Sequence, residues 1–293
     1  MGEIYDRTAT LGSSDVPKLL GLSRYGDAWD VWAQKRGLIG PTSSNTGDQA
    51  AGNMMEEALA TEVGRRLGLM FVRGPLLGEP PTIGPEPWMS ARVDFRGRVR
   101  KGRTWRCGLE IKTIRSFDET WGPDDSDKYP PDKTAQVAWQ QAVDDCYKES
   151  YLAAWAWSSY ELRIYRIRRD KKVEARLVDT CRDWWERHVV QGNMPEVSGS
   201  AACGAALGRC WPTPEEKVWR DASPLEQRLA TLYRELTVQR SAIDDERRQI
   251  GNLLKKAIGP DYGLKTDDGP LVIFHKHGAG RRLRLLSSKD ESE

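Results

Sequence analysis

Residues 104–112 set Trp105, Cys107, Leu109 and Ile111 in alternation with Arg106, Gly108, Glu110 and Lys112. A period of two marks a β-strand, because successive side chains point to opposite faces. The segment therefore belongs in a sheet, with an apolar face to be covered and with Glu110 and Lys112 together on the other. A chain of 293 residues can build and cover such a sheet, and corresponds to roughly two domains of about 150 residues each. Twelve Trp, nine Tyr and four Phe supply core rings and exclude a chain disordered throughout.

Charged residues make up 30% of the chain and hydrophobic residues 39%, with a mean hydropathy of −0.65. No run approaches the roughly 20 apolar residues of a membrane-spanning helix, so a membrane-embedded protein is excluded. No basic-then-apolar leader opens the chain, and secretion is not expected. Lys and Arg number 45 against 43 Asp and Glu, a net charge of +2. Any nucleic-acid surface must then be a local patch. Five cysteines, an odd count without paired spacing, fit free thiols in a cytoplasm.

Around that strand the sequence predicts a mixed α/β chain. Ser13-Ser14-Asp15 offer cap chemistry before Leu19-Leu20, and Asp27 starts a second helix carrying Trp29, Val31 and Trp32. Residues 40–47 read as a loop. A helix from Asp48 to Leu67 buries Met55, Leu59, Val63 and Leu67, and Gly68 stops it. Strands are expected at 69–72 and 88–95, then, beyond 104–112, at 151–157 and 161–168. Helices are expected at 132–145 and 171–191. Residues 192–214 are rich in Gly, Ala, Ser and Pro and read as a linker. Capping-box signals follow at Thr213-Pro214-Glu215-Glu216 and Ser223-Pro224-Leu225-Glu226. Then Leu225, Leu229, Leu232, Leu236, Gln239, Ile243, Glu246, Ile250 and Leu253 form a heptad stripe with two polar members. Gly259-Pro260 ends it. Two short strands, 269–275 and 281–286, turn at Gly278-Ala279-Gly280, and the charged last residues read as frayed. The organisation expected is a domain at 1–191, a linker at 192–214, and a helical segment with a small hairpin at 215–293.

Asp94 closes the strand expected at 88–95, on the face that also carries Ser90 and Arg92. If that strand neighbours 104–112, two carboxylates and an ammonium share one patch of sheet. Converging carboxylates repel unless a hard cation lies between them, and oxygen ligation with retained waters suits Mg²⁺ or Mn²⁺. A lysine beside them can orient a metal-bound water, which is the chemistry of phosphodiester hydrolysis. Glu56, beside the apolar stripe of its helix, is a further candidate carboxylate. The bland alternative is a solvated strand face. Other features have similarly bland readings: Glu57 as a helix charge, Gln136 and Gln140 as core-edge amides, Arg163, Arg166, Arg168 and Arg169 as a solvated face, and His275 with His277 as a pair lacking a third ligand.

Several motifs together carry a resemblance. Leu11-Gly12-Ser13-Ser14-Asp15, Leu20-Gly21-Leu22-Ser23 and Trp32…Lys35-x-Gly37 open it. Gly52-x-x-Met55-Glu56-Glu57, Asp94, Leu109-Glu110-Ile111-Lys112-Thr113, Trp121-Gly122, Pro131 and Ala135-Gln136-Val137-x-Trp139 follow in order. The segment from Arg7 to Trp157 resembles the YqaJ viral recombinase family, the phage lambda-exonuclease-like nucleases of the PD-(D/E)xK superfamily. It departs from them at Ala91-Arg92-Val93-Asp94, where the family's Pro-Asp-Gly turn is common.

The resemblance implies a restriction-endonuclease-like core, a mixed sheet flanked by helices, and Mg²⁺-dependent DNA cleavage with Mn²⁺ as a substitute. It implies that Asp94, Glu110 and the Ile111 carbonyl hold metal, with Glu56 as an outer carboxylate. Lys112 would handle the water, and Gln136 would orient the site. Arg7 and Ser14 match the family's terminal 5′-phosphate ligands by spacing, and Arg92 could meet a phosphate too. No iron–sulfur cluster is expected, since no cysteine precedes Cys107. The function implied is a phage- or prophage-encoded exonuclease in the bacterial cytoplasm. It would digest linear duplex 5′→3′ and leave 3′ strands for an annealing protein. A homo-oligomer, a trimeric ring in form, is implied, with no membrane partner. Two alternatives stay open: a structure-selective or nicking endonuclease of the same fold, and a catalytically inactive DNA-end-binding scaffold.

Overall fold

The computed structural model describes residues 6–40, 47–75, 79–99, 101–213, 217, 219–278 and 280–286. The chain divides into two compact units, Met1–Thr213 and Pro214–Glu293. Most of the loop expected at 40–47, the first capping box beyond Thr213, Ala279 of the expected turn and the charged tail lie outside the described residues.

In the first unit a five-stranded sheet has the order β1 (Leu69–Arg73), β4 (Phe95–Val99), β5 (Cys107–Ile114), β6 (Glu149–Ala156) and β7 (Glu161–Arg168). Neighbours are antiparallel except β5 and β6, which run parallel from Cys107↔Glu149 to Ile114↔Ala156. The parallel pair needs a crossover, and α4 (Pro131–Val143) provides it. Helix α3 (Gly47–Leu67) packs Leu59, Ala60 and Val63 on Cys107, Leu109 and Ile111 of β5. The opposite face meets α4, where Val137 packs with Leu152, Ala154 and Tyr165. A further cluster joins α4 to α5 (Lys171–Trp184) and to α1 (Val16–Leu19). Residues Cys107 to Ile111 are buried on both faces, so the central strand carries the polar face of its alternation inside the protein. The mixed sheet flanked by helices that the sequence predicts is present.

Three expectations are corrected. The strand expected at 88–95 is broken in two. Ser90–Ala91 (β3) pairs only with Thr82–Ile83 (β2), and the chain joins the main sheet at Phe95. The break has a local cause: Gly74 donates its N–H to the Asp94 carbonyl at 2.8 Å. A side chain at Gly74 would collide with the Val93 carbonyl oxygen, so only glycine lets the chain turn there. The helix expected at 171–191 continues from α5 as a π-helical segment, Trp185–Val190.

The third correction concerns 192–214, which is not a plain linker. It holds α6 (Ala201–Cys210), capped by Ser200 Oγ accepting from the Cys203 N–H at 3.0 Å. Cys203 and Ala206 are buried against Trp29, Trp32 and Ala33 of α2 (Ala28–Lys35). Asp27 accepts from Ser198 at 2.6 Å and Ser200 at 2.8 Å, and Arg209 pairs with Asp30. Alanine favours helix without any large apolar stripe, and its small face fits two indoles, so periodicity gave no sign of it.

In the second unit, α7 (Pro224–Ile258) opens with the expected capping box: Ser223 Oγ accepts from the Glu226 N–H at 3.3 Å, and Glu226 accepts from the Ser223 N–H at 2.8 Å. Leu229, Leu236, Ile243 and Ile250 of its stripe are exposed. The expected hairpin is a three-stranded meander, β10 (Gly280–Leu285), β9 (Gly269–His277) and β8 (Gly263–Thr266), because the four-residue β8 is too short to show a pattern. No helix among the described residues is long and apolar enough to cross a membrane.

Candidate active site

β4 and β5 pair from Phe95↔Leu109 onward, which sets Asp94 beside Glu110 and Ile111. Asp94 Oδ2 accepts from the Ile111 N–H at 2.8 Å. Glu110 is 3% exposed and points toward α4. Its Oε1 accepts from Lys112 Nζ at 2.5 Å and from Gln136 Nε2 at 2.6 Å. Its Oε2 accepts from Gln140 Nε2 at 2.7 Å, and the same amide reaches the Arg92 carbonyl at 3.1 Å. Gln136 and Gln140 lie one turn apart on α4, so one helix face grips both carboxylate oxygens.

The electrostatics follow from this crowding. Burial, then the Glu110 charge, push the Asp94 carboxyl from 3.8 up to about 8, against the pull of Lys112. Burial alone would lower Lys112, but the Glu110 and Asp94 carboxylates outweigh it and hold it above its usual range. Two close carboxylates, one carrying a proton when no cation is near, form a donor set that a divalent cation would relieve. Among the described residues no group of three or more His, Cys, Asp or Glu gathers tightly enough to hold a metal. Two carboxylates, Asp94 and Glu110, are fewer ligands than a closed cage supplies and suit an ion that keeps several waters, as Mg²⁺ does.

Asp94, Glu110 and Gln136 line a cleft of about 210 Å³ together with Arg7, Ser14 and Arg92. Candidate catalytic and phosphate-binding residues thus meet in one place, although Arg7 and Glu110 are far apart in sequence. Three residues sit differently. Lys112 is not among the residues that line the cleft and reaches it through Glu110 Oε1. Glu56 is outside the cleft lining and held by Arg73 Nη1 at 3.1 Å, yet near enough to Asp94 for its charge to raise it. Ser14 does not cap a long helix: α1 is a single turn, its N-cap is Asp15, and no dipole assistance is available there. Arg163, Arg166 and Arg169 are paired within the protein, to Glu161, Glu149 and Glu174 respectively.

The structure adds residues that sequence reasoning missed. Lys35 and Asp15 form an ion pair at 2.7 Å at the cleft wall, and Lys35 also donates to the Arg7 carbonyl at 3.0 Å. Ser90 and Thr10 share a buried hydrogen bond at 2.8 Å and line the same cleft. Asp15 and Lys35 stand inside the motifs that carry the resemblance, but a lysine near a helix end reads as an ordinary C-terminal cation.

A mixed sheet whose central strand carries a buried carboxylate and a lysine is closed by a glutamine-bearing helix. Residues 5–147 match the family model described as the YqaJ-like viral recombinase domain. The chain is 21% identical over 264 residues to the "Uncharacterized protein YqaJ" of Bacillus subtilis (strain 168), covering 89% of this chain and 79% of that one. It is similar in structure to an alkaline exonuclease from Laribacter hongkongensis, with TM-score 0.46, 14% identity, and coverage of 63% of this chain and 90% of the other. The same exonuclease in complex with dAMP gives TM-score 0.47, 15% identity, and coverage of 65% and 94%. A phage-related exonuclease from Haemophilus somnus 129PT gives TM-score 0.41, 11% identity, and coverage of 63% and 96%.

Proposed function

We propose that this protein is a Mg²⁺-dependent DNA exonuclease of phage-type recombination. The observation that carries the reading is the shared cleft, lined by Asp94 and Glu110 together with Arg7, Ser14 and Arg92. The match of residues 5–147 to a viral recombinase family model supports the nuclease role.

Asp94, Glu110 and the Ile111 carbonyl would hold the metal, with Mn²⁺ able to replace Mg²⁺. The bound ion supplies Lewis acidity and an activated water. Lys112 Nζ, held against Glu110, orients the water and steadies charge on the attacked phosphate. Gln136 and Gln140 fix the Glu110 carboxylate so that it cannot rotate out of position. Glu56 acts from outside as an additional carboxylate. Arg7 and Ser14 hold a terminal 5′-phosphate, which favours a duplex end and gives 5′→3′ digestion, and Arg92 adds a backbone contact. The 3′ strand left behind is the substrate of a single-strand annealing protein in the bacterial cytoplasm. A ring-like homo-oligomer, a trimer, encloses the duplex, because a net charge of +2 gives one subunit little long-range hold.

The test is digestion of end-labelled linear duplex and closed-circular DNA with and without Mg²⁺. Mg²⁺-dependent loss of the linear form alone supports the reading. Cleavage of closed circles replaces it with an endonuclease, and no cleavage under any metal with retained end binding replaces it with an inactive scaffold. Light scattering showing only monomer, with and without DNA, removes the ring.

A further inference from the structure

Helix α7 carries an apolar stripe that its own unit leaves bare. Over about four heptads it sets Leu229, Leu236, Ile243 and Ile250 at the a positions. Leu225, Leu232, Gln239, Glu246 and Leu253 take the d positions. Each apolar member is between 50% and 66% exposed. The three-stranded sheet does not cover them. Beyond the first turn of α7, the only residues not exposed are Gly251, Leu254 and Ile258, and Leu283 of β10 lies against Gly251. That face is centred roughly 100° round the helix from the stripe. Single exposed leucines are ordinary on a surface, but an unbroken line of this length marks an interface.

We propose that the stripe is the seam of a parallel, two-stranded coiled coil formed with α7 of a second copy of this chain. The two polar members select both the occupant and the direction. In an antiparallel pair a d residue faces an a residue, and every a position here is Leu or Ile. Gln239 and Glu246 would then be buried against aliphatic side chains without a partner, which is costly. In a parallel pair in register, d faces d. Gln239 meets Gln239 of the second copy, and each amide both donates and accepts. Glu246 meets Glu246, and Arg247, at e on the facing helix, flanks that layer with the compensating charge. The g-to-e pairs agree. Glu235 faces Arg240 of the second copy, and no other such pair within α7 brings like charges together. Arg240 now reaches Asp244 at 3.8 Å with its side chain 86% exposed, a surface pair weak enough to yield. Ile at a with Leu at d selects two strands. The interface is isologous and closes at two chains. It is separate from the ring proposed above and does not depend on the nuclease reading.

The experiment uses the full chain. Light scattering finds an even number of chains, a pair or a pair of rings. Ile243→Glu/Ile250→Glu halves that number and keeps the helix content measured by circular dichroism, because both residues are exposed in the single chain. Ile243→Ala/Ile250→Ala, which keeps helix propensity and charge, raises the dissociation constant at least about tenfold and covers the case that the Glu variant does not fold. Oxidised glutathione then tests the direction. Chains with Leu232→Cys join to one another as a covalent pair at twice the 33.1 kDa chain mass, above the background of the unsubstituted chain with its free cysteines. An odd number of chains overturns the proposal, as does an unchanged number in the folded Glu variant. Leu232→Cys chains that do not crosslink to one another overturn it too, since an antiparallel coil sets d against a. No arm uses DNA or Mg²⁺, so failure here is distinct from failure of the nuclease reading, which shows as absent Mg²⁺-dependent cleavage.

Discussion

Lys35 and Asp15 meet at 2.7 Å with each side chain only 4% exposed, one from the end of α2 and the other from the turn before α1. The carboxylate also accepts from the Gly12 N–H at 3.1 Å, and the ammonium donates to the Arg7 carbonyl. One buried pair therefore ties together three pieces of the cleft wall. Removing one partner strands the other charge. We expect Lys35→Met to cost about 3–5 kcal/mol of stability, and Asp15→Leu/Lys35→Met to cost less than the sum of the single changes. Urea unfolding of the three variants checks this; full additivity would mean the pair carries no coupling. Against burial, Lys35 holds the Asp15 carboxyl below its ordinary range. Its contribution is therefore present above about pH 4 and is lost as pH falls through the depressed value.

Gln140 is 1% exposed and bridges Glu110 Oε2 to the Arg92 carbonyl, so it acts on the metal site through Glu110. We expect Gln140→Met to lower activity about 10–100-fold, chiefly by raising the Mg²⁺ concentration needed for half-maximal rate. Recovery at high Mg²⁺ separates this from a general packing defect. An unchanged metal requirement would reduce Gln140 to a core amide.

Lys112→Ala and Glu110→Ala should each abolish cleavage by several orders of magnitude while the fold survives. The double variant should be little worse than either, because the residues act on one metal–water unit. Single-turnover rates on folded protein measure this, and near-normal turnover in either variant would remove the site assignment.

What the sequence alone made legible was what lies within one strand or helix. Alternation put Glu110 and Lys112 on one face of β5, and spacing put Gln136 and Gln140 on one face of α4. Pairing of Asp15 with Lys35 depends on two helices meeting, which no local period encodes. Helix α6 escaped because it buries small residues, Cys203 and Ala206, on Trp29 and Trp32. The break before Phe95 escaped because its cause, the close approach of Gly74 to Val93, lies some twenty residues upstream. Asp94 still reached Glu110, since joining the main sheet at Phe95 fixes that neighbour whichever way the preceding residues run.

Asp94 gives a pH dependence with a definite sign. Its carboxyl stands at about 8 in the folded, metal-free protein against an ordinary 3.8, chiefly through burial and then the Glu110 charge. A group raised on folding contributes stability that is full below the unfolded value and lost as pH rises through the folded one. Stability in EDTA should therefore fall from about pH 4 to about pH 8 and level off above. Metal needs the carboxylate, so binding releases a proton in that window, and apparent Mg²⁺ affinity should rise by up to about tenfold per pH unit until about pH 8. Calorimetry in two buffers of different ionisation enthalpy counts the proton. No release at about pH 7 would mean Asp94 is already ionised or is not a ligand.

Arg7 tests directionality. It sits in a 3₁₀ turn, Arg7–Ala9, and lines the cleft with Ser14, while Lys35 holds its backbone carbonyl. A terminal phosphate carries about two negative charges, more than an internal diester, and a guanidinium fork matches its oxygens. A charge-assisted contact of about 1.5–3 kcal/mol corresponds to roughly 10–100-fold. Arg7→Ala should therefore slow digestion of 5′-phosphorylated duplex by about that factor while barely changing that of 5′-hydroxyl duplex. Residual cleavage should keep its Mg²⁺ dependence, because Asp94 and Glu110 are untouched. Lys35→Met should mimic part of the effect, since it releases the backbone from which Arg7 projects. Equal slowing on both substrates would make Arg7 a general backbone contact. No slowing on either would make Arg7 a solvated side chain without a substrate contact and leave 5′→3′ polarity without a cause in this cleft.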